Sequence, residues 1–552
     1  MGTYLNSGNT RFKQAIESEI YRDKTDLIMY INSLVLTEQK YVCVSRPRRF
    51  GKTITANMLA AYYDRYADSR ELFENKKIAT DGKGIDQWDE YLGKFDVVKI
   101  IMTDFVKKDK SAEEMLKKLQ LLVMRDVLNQ YSEVDFFDRE DLIQSMSDVY
   151  VQTGHQFVII IDEWDAIFRE NKSDAEGQRV YLDFLRDWLK DKDYVALAYM
   201  TGILPIKKYG KHSALNMFDE YSMIFPMQMA KYTGFTDDEV EDLCNQYGRN
   251  HEEIKNWYDG YEMYGIIPPK SMGEQSSSIS EDPGQEKWSI YSPLSVVKAI
   301  QTGRIQNYWN QTETYQALSE YICRNYDGLK EDVAVLMAGN RISVAIDNYQ
   351  NDMTTFHSKD DIFTLLIHLG YLAYDINRKE VYIPNNEILA EFEASTKQDD
   401  WNVVFKALEN SQKLLEATWK KDAAKVSELV EKAHDKANNK TYNSEAALSY
   451  AIQLAYYNAQ NYYTLIQEMD TGKGYADLVY IPSPKYSDKP VLLIELKYDK
   501  DAATAIDQIR KRNYPDNLEK YKGNIIIVGI NYENDASSKQ GYKHHDCLIE
   551  EA

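Results

Sequence analysis

Four short apolar runs between residues 41 and 201 constrain the fold of this 552-residue chain more than any other feature. Each run is almost continuously apolar, which is typical of strands buried on both faces of a parallel sheet. Amphipathic stretches with a helical period separate the runs, and one of them opens with a capping-box spacing at Ser111 and Glu114. Strands that alternate with helices predict a doubly wound α/β domain. The four predicted strands are Tyr41–Ser45, Val97–Met102, Phe157–Ile161 and Val195–Met200.

A segment similar to a phosphate-binding loop follows the first predicted strand. It reads RPRRFGKT, which keeps the end of the pattern GxxxxGK[ST] and has arginine in place of the first glycine. The next residues, Ile54–Tyr63, predict a helix whose N-terminal amides and dipole would face a phosphate. Lys52 is then expected to reach the β- and γ-phosphates of ATP, and the Thr53 hydroxyl to bind Mg²⁺. The predicted nucleotide-binding residues of this loop are Arg46, Pro47, Arg48, Arg49, Phe50, Gly51, Lys52 and Thr53.

Two features of this loop leave its chemistry open. Pro47 has no amide hydrogen, so the phosphate cradle cannot have its full set of donors. The guanidinium groups of Arg48 and Arg49 fit two interpretations, because they can neutralise phosphate charge or pair with carboxylates of a neighbouring element.

An acidic pair, Asp162 and Glu163, ends the third predicted strand. Asp162 is expected to hold Mg²⁺ through water, and Glu163 to orient the attacking water. Thr201, at the end of the fourth strand, is placed to sense the γ-phosphate. The alternative interpretation is an acidic turn that follows a buried strand. The order of the two motifs within one α/β pattern favours nucleotide binding.

A second group of candidate residues lies near the C-terminus. The alternation of side chains along a strand puts Glu495 and Lys497 on one face, and Asp477 begins a neighbouring strand. The two carboxylates predict a site for Mg²⁺ or Mn²⁺, and Lys497 would stabilise the developing phosphorane charge. Glu445 and Gln508, on the preceding and following predicted helices, are expected to complete or line this site. The predicted elements are the strands Tyr463–Gln467, Ala476–Ile481, Val491–Lys497 and Asn524–Ile530, and the helices Glu445–Asn458 and Asp501–Asn513.

The alternative interpretation of Glu495 and Lys497 is a surface ion pair on an edge strand. The surrounding sequence VLLIELKY is strongly apolar, which favours a central strand, where a buried glutamate needs a partner.

The middle of the chain gives weaker signals. Thr236 and Glu239 have the spacing of a capping box, and Ser271–Lys287 is polar and serine-rich, which predicts an exposed insertion. Asp361–Asn385 predicts a helix followed by a hairpin, the layout of a winged-helix unit. Thr312–Met337 and Asn402–Asn439 have charged helical patterns.

The net charge and the composition limit the classes of partner that the chain is expected to bind. The net charge of −22 argues against a general basic coat for nucleic acid. Residues 441–552 hold 12 Lys+Arg and 16 Asp+Glu, so most of the acidic excess lies elsewhere and nucleic-acid binding stays open there. The four cysteines are far apart without a CxxC pattern, which fits a reducing cytoplasm. No apolar run approaches the roughly 20 residues of a membrane helix, so no membrane is expected.

These motifs together resemble a prokaryotic AAA-ATPase-like family that carries a C-terminal PD-(D/E)xK nuclease-like domain. The resemblance implies that arginine in place of the first loop glycine is usual, and it implies a role against mobile or foreign DNA. One departure is Tyr475, where the family commonly has arginine. The matching motifs are YRDKTDLI, SRPRRFGKT, IDEWD, TGFTDDEV, WYDGY, IYSPLSV, NYWNQT, LIHLGYLAYD, YIPNNEI, GKGYADL, ELK and QIRKRNY.

The predicted architecture has three parts. Residues 1–230 form a P-loop, AAA-like ATPase domain, residues 231–440 a mostly helical, winged-helix-like middle region, and residues 441–552 an α/β nuclease-like domain. The leading hypothesis is an ATP-regulated, metal-dependent nuclease that acts on DNA rather than RNA. The alternatives are a nucleotide-switched signalling or nucleic-acid-binding protein without cleavage, and a nucleotide that only stabilises the fold. A homo-oligomer is a further expectation, because ATPases of this broad class often need neighbouring subunits.

Overall fold

The structure is a computed structural model, and the chain forms two compact units. The first unit comprises Met1–Lys330 and Arg341–Phe392, and the second Glu331–Asn340 and Glu393–Ala552. The boundaries predicted near residues 230 and 440 stay predictions. Among the described residues, no helix is long and apolar enough to span a membrane. The structure describes residues 2–80, 87–107, 111–206, 215–266, 285–309, 318, 321–322, 329–347, 349, 356–396, 402–434, 452, 455–456, 458–459, 462–470, 475–482, 486–511, 521, 523–533 and 544–551.

A five-stranded parallel sheet is the centre of the first unit. Its strand order is β2-β3-β4-β1-β5, and every neighbouring pair is parallel. The order places β4 between β1 and β3, so the carboxyl ends of these three strands lie side by side. The predicted α/β fold with a parallel sheet is confirmed. The strands are β1 (Tyr41–Ser45), β2 (Asp96–Ile101), β3 (Phe157–Asp162), β4 (Val195–Gly202) and β5 (Asp219–Tyr221).

Helices lie before, between and after the strands of this sheet, and the helix that follows β1 packs against β2, β3 and β4. The α6 helix begins after Ser111, whose hydroxyl accepts a hydrogen bond from the amide of Glu114 at 3.2 Å, as the spacing predicts. The helices are α1 (Thr10–Ile16), α2 (Leu27–Asn32), α3 (Lys52–Tyr63), α4 (Arg70–Phe73), α5 (Lys77–Thr80), α6 (Ala112–Gln130), α7 (Leu142–Thr153), α8 (Ala166–Glu170) and α9 (Ala175–Leu189). Two 3₁₀ turns lie at Met102–Asp104 and Met227–Met229.

Two small antiparallel sheets complete the first unit. The first has the order β6-β8-β7 and the second the order β10-β11-β9. The capping box of Thr236 and Glu239 is present at the start of α10. The elements are β6 (Phe235–Thr236), α10 (Asp237–Tyr247), α11 (His251–Tyr258), β7 (Tyr261–Ile266), β8 (Gln285–Tyr291), α12 (Pro293–Thr302), α13 (Leu329–Met337, shared with the second unit), β9 (Ile342–Ser343), α14 (Lys359–Leu369), β10 (Ala373–Asp375), β11 (Glu380–Tyr382) and α15 (Asn386–Ser395).

Predictions for this region are confirmed in part. The helix followed by a hairpin is confirmed by α14 and the paired strands β10 and β11. The predicted insertion Ser271–Lys287 ends three residues too late, because Gln285–Lys287 belong to β8 and pair with β7. Its remaining residues lie outside the described part of the chain.

The second unit is built on a mixed sheet with the order β12-β13-β14-β15-β16. The β14 and β15 strands are parallel, and the other neighbours are antiparallel. The last strand, β16, was not predicted, because its HDCLIEE sequence has no apolar run. The elements are α16 (Asn402–Trp419), α17 (Ala423–His434), β12 (Tyr463–Asp470), β13 (Tyr475–Pro482), β14 (Val491–Tyr498), α18 (Ala502–Lys511), β15 (Ile525–Tyr532) and β16 (His545–Glu551).

The β14 strand is central and buried on both faces. Leu492, Ile494 and Leu496 pack into one core cluster together with residues of α16 and α17. Val491 and Leu493 pack on the opposite face, in a cluster with two isoleucines of α18. The alternation along the strand therefore places residues 495 and 497 on the face that α18 covers.

Candidate functional site

The loop after β1 folds tightly around the start of α3. Gly51 has φ 89°, in the left-handed region that favours glycine, and it immediately precedes the helix. Lys52 is buried, and its Nζ donates to the carbonyl oxygens of Arg46 at 3.0 Å and Pro47 at 2.8 Å. Burial lowers the pKa of Lys52, while the nearby carboxylates of Glu163 and Asp162 oppose that shift. The lysine therefore lies over its own loop, at the position where a phosphate would meet it.

The side chain of Arg46, the first residue of the predicted phosphate loop, points into the protein interior. It is fully buried, and its guanidinium donates to the carbonyl oxygens of Ser45 at 2.9 Å, Tyr221 at 2.8 Å and Met229 at 3.4 Å. Backbone carbonyls accept from both terminal nitrogens of Arg46, so the side chain belongs to the interior, and nucleotide binding by this loop position stays a prediction. Arg46 joins the end of β1 to β5 and the turn that follows it.

Asp162 and Thr201 meet at the carboxyl ends of β3 and β4. Both side chains are buried, and the Thr201 hydroxyl donates to Asp162 Oδ1. The second oxygen, Asp162 Oδ2, is buried without a hydrogen-bond partner among the described residues. A buried carboxylate oxygen left unpaired near the ammonium of Lys52 fits an aspartate that holds Mg²⁺ through water. The sequence placed these two residues at strand ends, and the sheet brings them together.

Glu163 follows Asp162 in the left-handed region, with φ 55°. Its carboxylate accepts a hydrogen bond from Arg169 Nη2. Arg169 is 8% exposed, and its Nε lies 3.2 Å from Asp165 Oδ2. Sequence reasoning missed Arg169 and Asp165, although the IDEWD motif contains the second of them.

A cavity of about 400 Å³ lies beside Lys52, Thr53 and Glu163. Arg49, Phe50 and Gly51 also line it, whereas Pro47 and Arg48 do not. Its other walls are largely apolar, which fits a nucleoside next to a phosphate site. Sequence reasoning gave these walls no role in nucleotide binding, although some of their residues lie in the motifs YRDKTDLI, TGFTDDEV and IYSPLSV. They are formed by Ala15, Ser18, Ile20, Tyr21, Arg22, Lys24, Ile54, Thr55, Met58, Tyr232, Gly234, Phe235, Pro293, Leu294 and Val297.

Three distant segments of the first unit form this cavity because specific contacts hold them. Lys24 Nζ is 2.7 Å from Glu239 Oε2 and also donates to the carbonyl oxygen of Lys231 at 2.7 Å. Gly234 has φ 96°, and its amide donates to the carbonyl oxygen of Phe50 at 3.0 Å. A side chain at Gly234 would meet Ile290, so only glycine brings this backbone against the loop.

The second candidate site lies in the second unit, on the α18 face of β14. Glu495 is 1% exposed and Lys497 is 4% exposed. Lys497 Nζ is 3.0 Å from Glu495 Oε1 and donates to the carbonyl oxygen of Leu496 at 3.0 Å. Asp477 Oδ2 accepts a hydrogen bond from the amide of Leu496 at 2.7 Å. The structure thus brings the three predicted residues together, and it contradicts the alternative of a surface pair on an edge strand.

Asn531 binds the backbone segment that leads into α18, next to this site. Its side chain accepts from the amide of Lys500 at 3.0 Å and donates to the carbonyl oxygen of Lys500 at 3.0 Å. Asn531 is paired with Lys497 in the β14–β15 register, so it neighbours the predicted lysine. Sequence reasoning missed it, because one asparagine at a strand end gives no signal.

The other residues predicted for this site either form no hydrogen bond to it or lie outside the described residues. Gln508 is half-buried on α18, next to the sheet-facing Ile509, and within the described chain it forms no hydrogen bond to Glu495 or Lys497. Glu445 and the side chain of Tyr475 lie outside the described residues. In the described part of the chain, no group of three or more His, Cys, Asp or Glu side chains is arranged to hold a metal. Two carboxylates beside a backbone carbonyl are still hard oxygen donors, which fits Mg²⁺ or Mn²⁺ completed by water and substrate phosphate.

Comparisons with known proteins cover both regions. Residues 7–211 match a family described as predicted AAA-ATPase, and residues 443–540 match the PD-(D/E)XK nuclease superfamily. An uncharacterized protein in the vnfD 5′ region of Azotobacter chroococcum mcd 1 is 24% identical over 302 residues, which is 53% of this chain and 51% of that protein. The chain thus spans about half the length of this curated relative.

Solved structures give only distant similarities. The ADP form of Aeropyrum pernix ORC2 has a TM-score of 0.25 at 10% identity, over 70% of this chain and 97% of that chain. Cdc6p from Pyrobaculum aerophilum has a TM-score of 0.20 at 10% identity, over 67% and 92%. Scores this low support no argument, so the assignment depends on the two sequence families. The chain therefore carries a predicted AAA-ATPase domain and a domain of the PD-(D/E)XK nuclease superfamily, in agreement with the resemblance of its motifs.

Proposed function

We propose that this protein binds and hydrolyses ATP at the end of its parallel sheet, and that its C-terminal domain cleaves nucleic acid with a divalent metal. The observation that carries the proposal is the buried Glu495–Lys497 pair on β14, beside the half-buried Asp477 of β13. Burying a glutamate and a lysine costs free energy, and a structural role alone would be met as well by apolar residues. A buried glutamate and lysine beside Asp477 therefore fit a group that carries out chemistry.

At the ATP site, each residue has a role that follows from its position. The amides at the start of α3 and the Lys52 ammonium hold the β- and γ-phosphates once Lys52 leaves its loop carbonyls. Thr53 and Asp162 hold Mg²⁺, which neutralises phosphate charge when bound. Glu163 accepts a proton from the attacking water, and Arg49 from the cavity wall neutralises phosphate charge.

At the nuclease site, Asp477, Glu495 and the Leu496 carbonyl oxygen would hold Mg²⁺ or Mn²⁺, and such a metal would supply activated water and polarise the phosphate. Lys497 would exchange its contacts with Glu495 and the Leu496 carbonyl oxygen for the phosphate, where its ammonium stabilises the charge that develops on the phosphate oxygens. The expected substrate is DNA rather than RNA. A role against mobile or foreign DNA is implied only by the family resemblance and stays a prediction.

One observation favours a second candidate function. Lys497 already neutralises Glu495, and only two carboxylates converge among the described residues. This arrangement would also suit a nucleotide-switched domain that binds nucleic acid without cleaving it.

The test is a cleavage assay with the full chain on supercoiled, linear and single-stranded DNA and on RNA. Mg²⁺ or Mn²⁺ is added with and without ATP, and phosphate release is measured in parallel. Glu495→Gln and Asp477→Asn are expected to abolish cleavage and to leave phosphate release unchanged. Lys52→Ala is expected to abolish phosphate release, and its cleavage lane shows whether ATP gates the nuclease.

Matched controls are available on the surface of each domain. Asp488→Asn lies in the β13–β14 connection with its side chain 73% exposed, and Lys13→Ala lies on α1 with its side chain 59% exposed. Both variants should behave as wild type. Cleavage that survives in Glu495→Gln would remove the nuclease proposal, and binding without cleavage on every substrate would favour the second candidate.

A further inference from the structure

Arg169 is the residue that most directly controls the geometry of Glu163. It lies on α8, six residues after the glutamate, and its side chain is 8% exposed. One terminal nitrogen, Nη2, donates to Glu163 Oε2. A buried guanidinium has little freedom to move, and a planar group that contacts a carboxylate fixes the orientation of that carboxylate.

Arg169 is itself anchored by a second carboxylate. Its Nε lies 3.2 Å from Asp165 Oδ2, and the same oxygen accepts hydrogen bonds from the amides of Ile203 at 3.0 Å and Leu204 at 2.9 Å. Burial alone would lower the pKa of Arg169, but Asp165 and Glu163 outweigh it and raise the pKa. The guanidinium is therefore cationic and joined to the backbone that leaves β4.

The charges around Glu163 come from three elements. Asp162 is the last residue of β3, and Lys52 is the first residue of α3. Asp165 directly precedes α8, and Arg169 lies within it. Without Arg169, three carboxylates would face Lys52, and the other nearby cation, Lys99 of β2, lies near Asp162. A cation held against one oxygen of Glu163 keeps that carboxylate apart from its acidic neighbours while Glu163 still lines the cavity.

We propose that Arg169 is a positioning residue for the catalytic glutamate. Arg169 holds Glu163 against the ATP cavity, and its contact with Asp165 connects the orientation of Glu163 to the backbone at Ile203 and Leu204. The inference rests on the proposed hydrolysis of ATP at this site. It assigns to Arg169 no contact with the nucleotide, so nucleotide affinity should not depend on it strongly.

The test is the steady-state rate of ATP hydrolysis by full-length wild type, Arg169→Gln, Arg169→Lys, Glu163→Gln and the double variant Arg169→Gln/Glu163→Gln. Arg169→Gln is expected to lower kcat roughly 100-fold, the cost of a small misplacement at a reacting centre, while KM stays within about threefold. Arg169→Lys should recover part of kcat. In the Glu163→Gln background, Arg169→Gln should change kcat by less than about twofold, since residues that act as a unit are non-additive.

The control is Arg179→Gln on α9, where the arginine is exposed and pairs with Glu176 and Asp183. It should match wild type. An unchanged kcat in Arg169→Gln, or an equal loss in the Glu163→Gln background, overturns the positioning role and leaves ATP hydrolysis standing. A wild type that binds a fluorescent ATP analogue without hydrolysing ATP overturns both. If Arg169→Gln melts far below wild type, Arg169→Lys and its double variant with Glu163→Gln carry the test.

Discussion

Arg46 and Arg49 lie on either side of Pro47 and Arg48. Substitution of each by methionine should impair a different property of the protein. Arg46→Met should destabilise the first unit, whereas Arg49→Met should weaken ATP binding. The reason is their placement, because Arg46 is fully buried and bonded to backbone carbonyls, while Arg49 is exposed and lines the cavity. Methionine preserves most of the apolar stem and removes the guanidinium donors.

The magnitude for Arg46 follows from its hydrogen bonds. Bonds from a charged donor contribute about 1.5–3 kcal/mol each, and Arg46 makes two at 2.9 and 2.8 Å besides a longer one at 3.4 Å. Burial lowers the pKa of Arg46 to about 10, so the buried charge partly offsets this gain. We therefore expect a loss near the lower end, about 3 kcal/mol, which lowers the melting temperature of a unit as large as the first one by about 4 °C. Arg49 is exposed, so solvent screens its contact to about 1 kcal/mol, which corresponds to roughly fivefold weaker ATP binding.

Both variants are assayed by thermal unfolding of the full chain and by titration with a fluorescent ATP analogue at a temperature where each is folded. Arg46→Met should melt early and, once folded, bind with wild-type affinity. Arg49→Met should melt within about 2 °C of wild type, because an exposed side chain contributes little. If Arg46→Met melted like wild type and bound ATP as weakly as Arg49→Met, the structural role of Arg46 would be refuted.

Three further outcomes are expected. Lys497→Met leaves Glu495 buried without its cation, so the free energy of local unfolding should fall by about 3 kcal/mol. Hydrogen exchange across β14 should then be roughly 100-fold faster. The double variant Lys497→Met/Glu495→Leu should restore the slow exchange of wild type. Burial raises the pKa of Glu387 to about 7 from 4.5, so the folded chain favours the neutral carboxyl; its stabilising contribution is complete below pH 4.5 and is lost as pH rises through 7. Urea unfolding at pH 5 and 7.5 should show this decline, and an equal decline in Glu387→Gln would contradict it. Leu294→Ala, in the wall of the ATP cavity, should weaken ATP binding roughly fivefold by loss of apolar contact, while the exposed Leu121→Ala on α6 should not.

Local sequence determined the elements that carry the chemistry. A buried parallel strand must be apolar on both faces, so β1, β3 and β4 could be located from their composition alone, and Asp162 and Thr201 could be placed at strand ends. Strand alternation put Glu495 and Lys497 on one face, and the apolar residues around them required a central strand and hence a partner for the glutamate. The family motifs added the identity of the two domains.

Only the tertiary structure decided which groups meet across long stretches of chain. The direction of Arg46 depends on carbonyl groups of Tyr221 and Met229, which lie more than 170 residues away, and no local pattern encodes them. The cavity walls at Tyr21 and Leu294 come together because the Lys24–Glu239 ion pair and the Gly234 amide fix distant segments against the phosphate loop. Periodicity reports which face of an element is buried, but side-chain donors and acceptors find their partners only after the elements have packed.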